Sequence, residues 1–558
     1  MLRNSHSSHS SRTYRVVFLV LLALQIAIVW AFPHFVTQDG PSHLYNAGLL
    51  RGIYSSKWPG LSDLYKLNAR PIPNWMTQIL LAGMFGFFTP EAAEKVLVSG
   101  YFLLFCTGYV YVLRSLRSDA DDFSILSLFL ANNFLLGMGF YNFCYGTALM
   151  LVAFGYWLRR RTRFQWQHAV VLATLGVAVY FSHIFSFVML AFLIGVMATF
   201  YGSESLAGQI RSSWPVRFTL LKRVLVPELA LAPCLFLALI FIRAAHSENL
   251  QRGLSLRERL TLYRGLFVMV DTRTRLDVAF LFLFSCFLAG SLICLGIKKI
   301  RERKICANDG FLVISGLCTL LYVATPDSLS GGSFVSERLA LFVICSLLFW
   351  LSPQGWNTFH KRIAIWAATV VVVLGLISEV RWRASVAHFY DAFEEGAKVV
   401  EPGSTVLSLC YCNPESNSAA ALSELRPWVL LNAGALTALK SHSALLYNYE
   451  AIGNVFPVIY QADFYERLPL VTLRTLVRDM CVNPQLFDLS DFERRAETEI
   501  EYVLLWGGPS PDDPKLLAFP LYQQLRTNYQ LVFSSSPPGQ LRIFRRLDAH
   551  RLSEKLLL

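Results

Sequence analysis

The sequence predicts a mainly α protein: a polytopic transmembrane helical bundle of about 11–13 spans with a C-terminal extracytoplasmic α/β domain. Three observations lead there. Hydrophobic residues make up 54% of the 558, and 16% are charged, against about 25% charged in soluble domains. The apolar residues fall in blocks of roughly 15–22, near the length a helix needs to cross a bilayer. After Ser378 such blocks stop, and helical and strand-like segments take over.

Residues 1–13 read as a cytoplasmic N-terminal tail. The flank is basic (Arg3, Arg12, Arg15) and carries no acid, so the positive-inside rule keeps it inside. The first apolar run, Tyr14 to Phe32, continues directly into FPHFVTQDG without a small-residue cleavage site, and so reads as a retained span. Within a transmembrane region of residues 14–379, apolar runs lie near 14–33, 74–89, 94–113, 123–138, 141–158, 167–182, 184–201, 224–243, 277–297, 310–325, 337–351 and 361–379. Breaks at GFYNF and FSHIF suggest turns that dip into a protein-lined cavity.

Charge orients the later runs. If RRRTR (159–163) and KKIRERK (298–304) are cytoplasmic, then GFYNF, FSHIF, the loops 244–276 and 326–336 and everything after Ser378 face outward. An N-terminus inside and a C-terminus outside require an odd number of spans, yet twelve runs are read. One run is therefore missed or miscounted, and the conflict falls before residue 123. Residues 34–73 form the first outward loop.

Residues 380–558 contain no apolar run long enough to span and are numerous enough for a soluble α/β domain. STVLSL and EYVLLW read as strands, and YQLVFSSS with GQLRIFRR reads as a hairpin across SPPG.

The net charge of +12 raises nucleic acid as a partner. Much of it sits in the short basic loops that anchor a membrane protein against anionic lipid, and no basic-aromatic module is visible, so nucleic acid is not expected. Eight of the eleven cysteines, Cys106 to Cys345, lie in or beside apolar runs, where cysteine is ordinarily a small hydrophobe. Cys410, Cys412 and Cys481 match no zinc spacing; a disulfide from Cys481 to Cys410 or Cys412 stays open.

The candidate chemistry starts at TQDGPSHLYNAG (37–48), where the chain leaves its first span. A carboxylate at a membrane–water boundary can take a proton from an attacking hydroxyl or amine, and Asp39 is the candidate base. The competing reading is a turn in which Asp39 caps a helix opening at Pro41. His43 and Asn46 follow at helical spacing, on one face near Asp39. Both are candidates for substrate binding, and His43 can orient Asp39, bind phosphate or ligate a metal, although an interfacial His is more often only hydrogen-bonded at a surface.

Further candidates for substrate binding lie on the same inferred side. Seven arginines run from Arg243 to Arg275. Guanidinium pairs well with phosphate, and Arg243 and Arg264 are the candidates, against an amphipathic surface helix with Leu254, Leu256, Leu260 and Leu262 toward lipid. Glu337 and Arg338 open a span after Gly331 and Gly332, a place that favours an anion. Asn142 and His183 sit at the two inferred outward turns, as cavity-lining or simply buried polar residues.

This arrangement resembles the GT-C class of membrane glycosyltransferases, above all the uncharacterised bacterial branch related to protein mannosyltransferases and lipid A sugar transferases. The likeness rests on the acid Asp39 in the first outward loop, the many-span body over residues 10–380, the charged outward loops and the tail facing the same way. It implies a GT-C-like fold and a polyprenyl-phosphate sugar donor. It also implies transfer to a cell-envelope lipid, glycan or protein acceptor at the extracytoplasmic face of the inner (plasma) membrane, with Asp39 as base and Arg338 on phosphate. Many members carry paired acids in that loop, whereas Gln38-Asp39-Gly40 holds one, so a divalent metal is left open and no other cofactor is implied. The alternative is a non-enzymatic transporter or flippase of envelope precursors, a class in which internal repeats are usual; none is visible here.

Overall fold

The computed structural model describes residues 5–53, 58, 61–117, 120–206, 214–244, 255–270, 274–326, 333–411, 428–467, 483–508, 514–536 and 541–547. Among these, seven helices are long and apolar enough to cross a membrane: Thr13–Trp30, Pro90–Leu116, Ile184–Glu204, Leu221–Arg243, Arg275–Glu302, Ala307–Ala324 and Thr358–Val399. Two shorter apolar helices, Asp122–Gly137 and Trp166–Ser182, and two more buried ones, Tyr141–Arg160 and Val335–Leu351, run alongside them.

Hydrogen bonds, ion pairs and ring contacts sort several of the helix ends into two groups. One end gathers Arg117 on Pro353 O (3.2 Å), Lys361 with Asp122 (2.5 Å), Arg161 over Tyr201 (4.1 Å), Tyr201 on Asn308 (2.7 Å) and Lys298 on Gly355 O (2.9 Å). The other gathers Lys95 on Phe32 O (2.6 Å), the Trp75 amide on Phe181 O (2.9 Å), the Phe134 amide on Val268 O (3.0 Å) and Arg383 on Val36 O (3.4 Å). Among the described residues, the helices that make these contacts run from one group to the other.

The run at 74–89 forms a helix too short to cross. Its helix, Met76–Met84, has nine residues, or about 14 Å of rise against a hydrocarbon core of about 30 Å. The run at 123–138 does pass end to end, but as a helix broken at Asn132, where ψ is 75° and Asn133 begins a new turn. The Asn133 carboxamide accepts from the Leu135 and Leu136 amides (2.9 and 3.2 Å), so the break leaves its backbone satisfied.

The last long helix, Thr358–Gly396, continues unbroken past residue 380 and leads into a mixed sheet. We label the strands β1 (Tyr65–Leu67), β2 (Thr405–Cys410), β3 (Ala444–Leu445), β4 (Val458–Tyr460), β5 (Tyr502–Trp506), β6 (Tyr529–Ser534) and β7 (Leu541–Arg546). The five-stranded order is β3-β2-β5-β7-β6; β2 is parallel to β3 and β5, while β5/β7 and β6/β7 are antiparallel. The expected strands and hairpin are therefore present, with an irregularity between Leu531 and Phe533. All five residues of β5 are buried, as a central strand covered on both faces requires. Phe393 of the long helix stacks on Trp506 at 5.3 Å between ring centroids and fastens the sheet to the bundle.

Residues of the segment 34–73 are held by the C-terminal region. β1 pairs antiparallel with β4 in a separate two-stranded sheet, with the Tyr65 and Tyr460 rings stacked at 5.0 Å. Tyr45 donates to Ser443 O (3.1 Å) and accepts from the Leu445 amide (2.8 Å). Cys412 and Cys481 lie outside the described residues.

Candidate active site

The site grows from a tight turn. Backbone leaves the first span, runs through Phe35–Gln38 and enters the helix Gly40–Gly52, with Pro41 in its first turn. Two glycines permit this. A Cβ on Gly40 would lie 2.4 Å from both Glu94 Oε1 and Thr37 Oγ1. Gly139 has φ +83°, and a Cβ there would lie 2.9 Å from Gly40 N. The Gln38 and Asp39 amides bond to the carbonyls of Gly137 (3.3 Å) and Met138 (3.0 Å), which pins the turn against the broken helix.

Asp39 occupies the N-cap position without using its side chain as a cap. The carboxylate instead accepts at Oδ1 from Asn432 Nδ2 (3.0 Å) and Gln38 Nε2 (3.4 Å). Gln38 is itself held by the Trp428 amide (2.9 Å). Asp39 is 6% exposed. Burial raises its pKa to about 6; the His43 charge works against that rise, the Glu450 charge adds to it, and the Tyr449 and Gln38 side chains lower it. A carboxyl so placed is mostly ionised at pH 7 and more basic than an ordinary aspartate, as a general base needs.

His43 is fully enclosed. Its Nε2 lies 2.9 Å from Gly139 O and its Nδ1 lies 3.0 Å from Glu450 Oε1. Both ring nitrogens thus lie near acceptor oxygens, which favours the protonated ring, and the Glu450 contact is an ion pair when the ring is charged. Burial lowers its pKa, but the Glu450 carboxylate, by charge and hydrogen bond, and Asp39 outweigh it and raise the value above the usual histidine range. Glu450 is completely buried and also accepts from Gln78 Nε2. Asp39, His43 and Glu450 thus form one buried run of alternating charge.

The other sequence candidates divide. Asn46 forms a reciprocal amide pair with Asn448 (2.9 and 3.2 Å) and joins the first loop to the C-terminal region. Asn142 accepts from the Thr77 amide (3.1 Å) and donates to Asn74 O (3.2 Å), which clamps the turn before Met76–Met84. His183 accepts at Nδ1 from the Phe185 amide (3.2 Å), and its ring stands edge-on to Phe143 at 5.3 Å. Arg338 lies over Phe140 (5.1 Å) and Phe143 (5.3 Å), so Arg338 and His183 share a second cluster across residues 139–143 from Asp39. Glu337 is buried beside it in the first turn of Val335–Leu351.

Arg243, at the end of Trp214–Ala244, and Arg264, at the end of Leu256–Arg264, are exposed at the surface and join neither cluster. In the Leu256–Arg264 helix the inward residue is Arg259, bonded to Thr325 O (2.5 Å), while Leu256 is 54% exposed. The arginine-rich segment therefore uses that cation for packing; residues 245–254 lie outside the described ones. Among the described residues no three His, Cys, Asp or Glu side chains are grouped as metal ligands would be.

The residues that complete the site and were not found in the sequence are Asn432, Asn448, Tyr449 and Glu450. They come from about 390–410 positions away; Asn448, Tyr449 and Glu450 show only as polarity in NYEAIGN, and Asn432 as a lone amide in LLNAG.

No protein-family model matches the chain, and no curated protein matches it. Among solved structures, ArnT from Cupriavidus metallidurans bound to undecaprenyl phosphate aligns over 96% of this chain and 98% of its own, at 11% identity and a TM-score of 0.50. The fold is GT-C-like. Other alignments within that class are an Archaeoglobus fulgidus oligosaccharyltransferase in the apo form and the arabinofuranosyltransferase AftD from Mycobacteria. The first has 11% identity, a TM-score of 0.44 and covers 96% of this chain and 74% of that one. The second has 13% identity, a TM-score of 0.45 and covers 96% and 40%. On the GT-C-like fold the chain is a multi-pass membrane protein.

Proposed function

We propose that the protein is an integral-membrane glycosyltransferase. It takes a sugar from a polyprenyl-phosphate donor and passes it to a cell-envelope lipid, glycan or protein acceptor at the extracytoplasmic face. The observation that carries this reading is the state of Asp39: buried, freed from capping, aimed by Asn432, and with its pKa raised to about 6. Asp39 removes the proton of the acceptor nucleophile as it attacks the anomeric carbon. A single displacement then inverts that centre and releases the polyprenyl phosphate.

His43, set between Glu450 and Gly139, works through its positive charge against the rise that burial causes in the Asp39 pKa. Arg338, held over two phenylalanines, is the phosphate contact proposed for the donor. A polyprenyl phosphate is the carrier class in the ArnT structure, and the fold shared with it supports the same class here. A basic N-terminal flank inside supports Asp39, beyond the far end of the first span, outside, and its bond to Asn432 supports the C-terminal region on the same side. The test is sugar transfer by the purified protein, in wild type and in Asp39→Asn. Covalent product from the first and at least about 100-fold less from the second supports the reading, and equal rates reject the base.

A further inference from the structure

A cavity of about 80 Å³ lies between the first span, the broken helix and the last span. A single water needs about 10–15 Å³ measured this way, so the space exceeds one water several-fold. It belongs to the Asp39 end of the bundle without including Asp39. Gly137 lines it and bonds the Gln38 amide (3.3 Å); Arg383 lines it and reaches Val36 O (3.4 Å).

Much of its polar wall is matched internally. Asp277 Oδ2 accepts from the Thr274 amide and hydroxyl (2.8 and 2.9 Å), and Oδ1 accepts from Ser378. Glu379 Oε1 pairs with Arg383 (2.6 Å from Nε, 2.5 Å from the terminal nitrogen). Gln25 differs. It is 3% exposed, lines the cavity from the first span, and its Oε1 has no hydrogen-bond partner among the described residues. A leucine at that point of an apolar run would leave nothing unmatched, so an orphaned acceptor marks a place where something donates.

We propose that the cavity binds the hydroxyl-bearing head of a carbohydrate substrate, with Gln25 Oε1 accepting from a sugar hydroxyl. This rests on the transferase reading for its place in the reaction, and it names the chemistry of the neighbouring subsite. Two acids and one arginine line the cavity, which disfavours a phosphate that can only accept and carries like charge. Phe129, Phe134 and Trp382 supply apolar faces of the kind that cover the C–H face of a pyranose.

The test uses the full-length protein in lipid nanodiscs, with thermal unfolding followed against submicellar n-octyl-β-D-glucoside, and n-octyl phosphate as the anionic control. Wild type should be stabilised saturably by the glucoside and not by the phosphate. Gln25→Leu should fold with unchanged or higher Tm and lose glucoside affinity about tenfold, the worth of one hydrogen bond. Gln25→Met, a second apolar replacement, should repeat the loss even if Leu proves too bulky. Saturable binding of octyl phosphate with none of the glucoside, wild-type glucoside affinity in both variants, or no response to either probe overturns the proposal. The readout needs no turnover, so failed binding leaves the transferase reading standing, and absent transfer with Gln25-dependent binding rejects that reading alone.

Discussion

Asp39→Asn separates charge from shape at the proposed base. Asn432 and Gln38 donate to Asp39 Oδ1, and a carboxamide oxygen in that place accepts the same two bonds. With a pKa of about 6, the carboxyl is about 90% ionised at pH 7 and about 10% at pH 5. Wild-type kcat/KM should therefore fall about tenfold between those pH values, while Asp39→Asn should lie about 100-fold lower or more at pH 7 and be flat below it. Stability moves the other way. The folded-state pKa is raised, so the folded protein holds this proton more tightly than the unfolded chain. The contribution is fully present below pH 3.8 and is lost as pH rises through about 6. An amide mimics the protonated form, so the variant should be as stable as wild type at acid pH and more stable at pH 7, by about 2–3 kcal/mol at most. The assay is initial-rate transfer from a panel of polyprenyl-phosphate sugars to envelope acceptors at pH 5–8, with Tm measured alongside. Full activity in Asp39→Asn, or a flat wild-type profile across this window, refutes the argument.

Arg338→Ala should raise KM for the donor more than it lowers kcat, if its phosphate contact is equally strong in ground and transition states; steady-state kinetics against donor concentration decide this. Glu450→Gln removes the carboxylate from the buried His43 pair (3.0 Å) and should lower stability by about 3–5 kcal/mol, read from denaturant unfolding. The His43 pKa is raised in the fold, so the pair stabilises fully below pH 6.5 and less as pH rises through the folded value; in Glu450→Gln that fall above pH 6.5 should vanish. Ser385→Cys and Ser510→Cys should both react with an impermeant thiol reagent added outside intact cells, and protection of both would place the C-terminal region in the cytoplasm.

How much of this was legible depended on the range of the interactions. Apolar blocks report burial in lipid directly, so the helical bundle could be read from local sequence, as could the β6–β7 hairpin. Met76–Met84 misled because an apolar composition does not reveal where a helix stops. Asp39 was legible because it follows a span at once, and His43 because it follows Asp39 by one helical turn. Their partners were not, since Asn432 and Glu450 reach them by folding the chain back over some 400 residues. Arg243 and Arg264 were chosen for charge alone, and charge without an enclosing wall settled at the surface.

The most direct measurement reconstitutes the purified protein in proteoliposomes with a polyprenyl-phosphate donor labelled in its sugar and follows the label. On the transferase reading the sugar becomes covalently attached to an envelope acceptor, with polyprenyl phosphate released and Asp39 required. Movement of intact donor between leaflets, with no labelled acceptor and no dependence on Asp39, would contradict it.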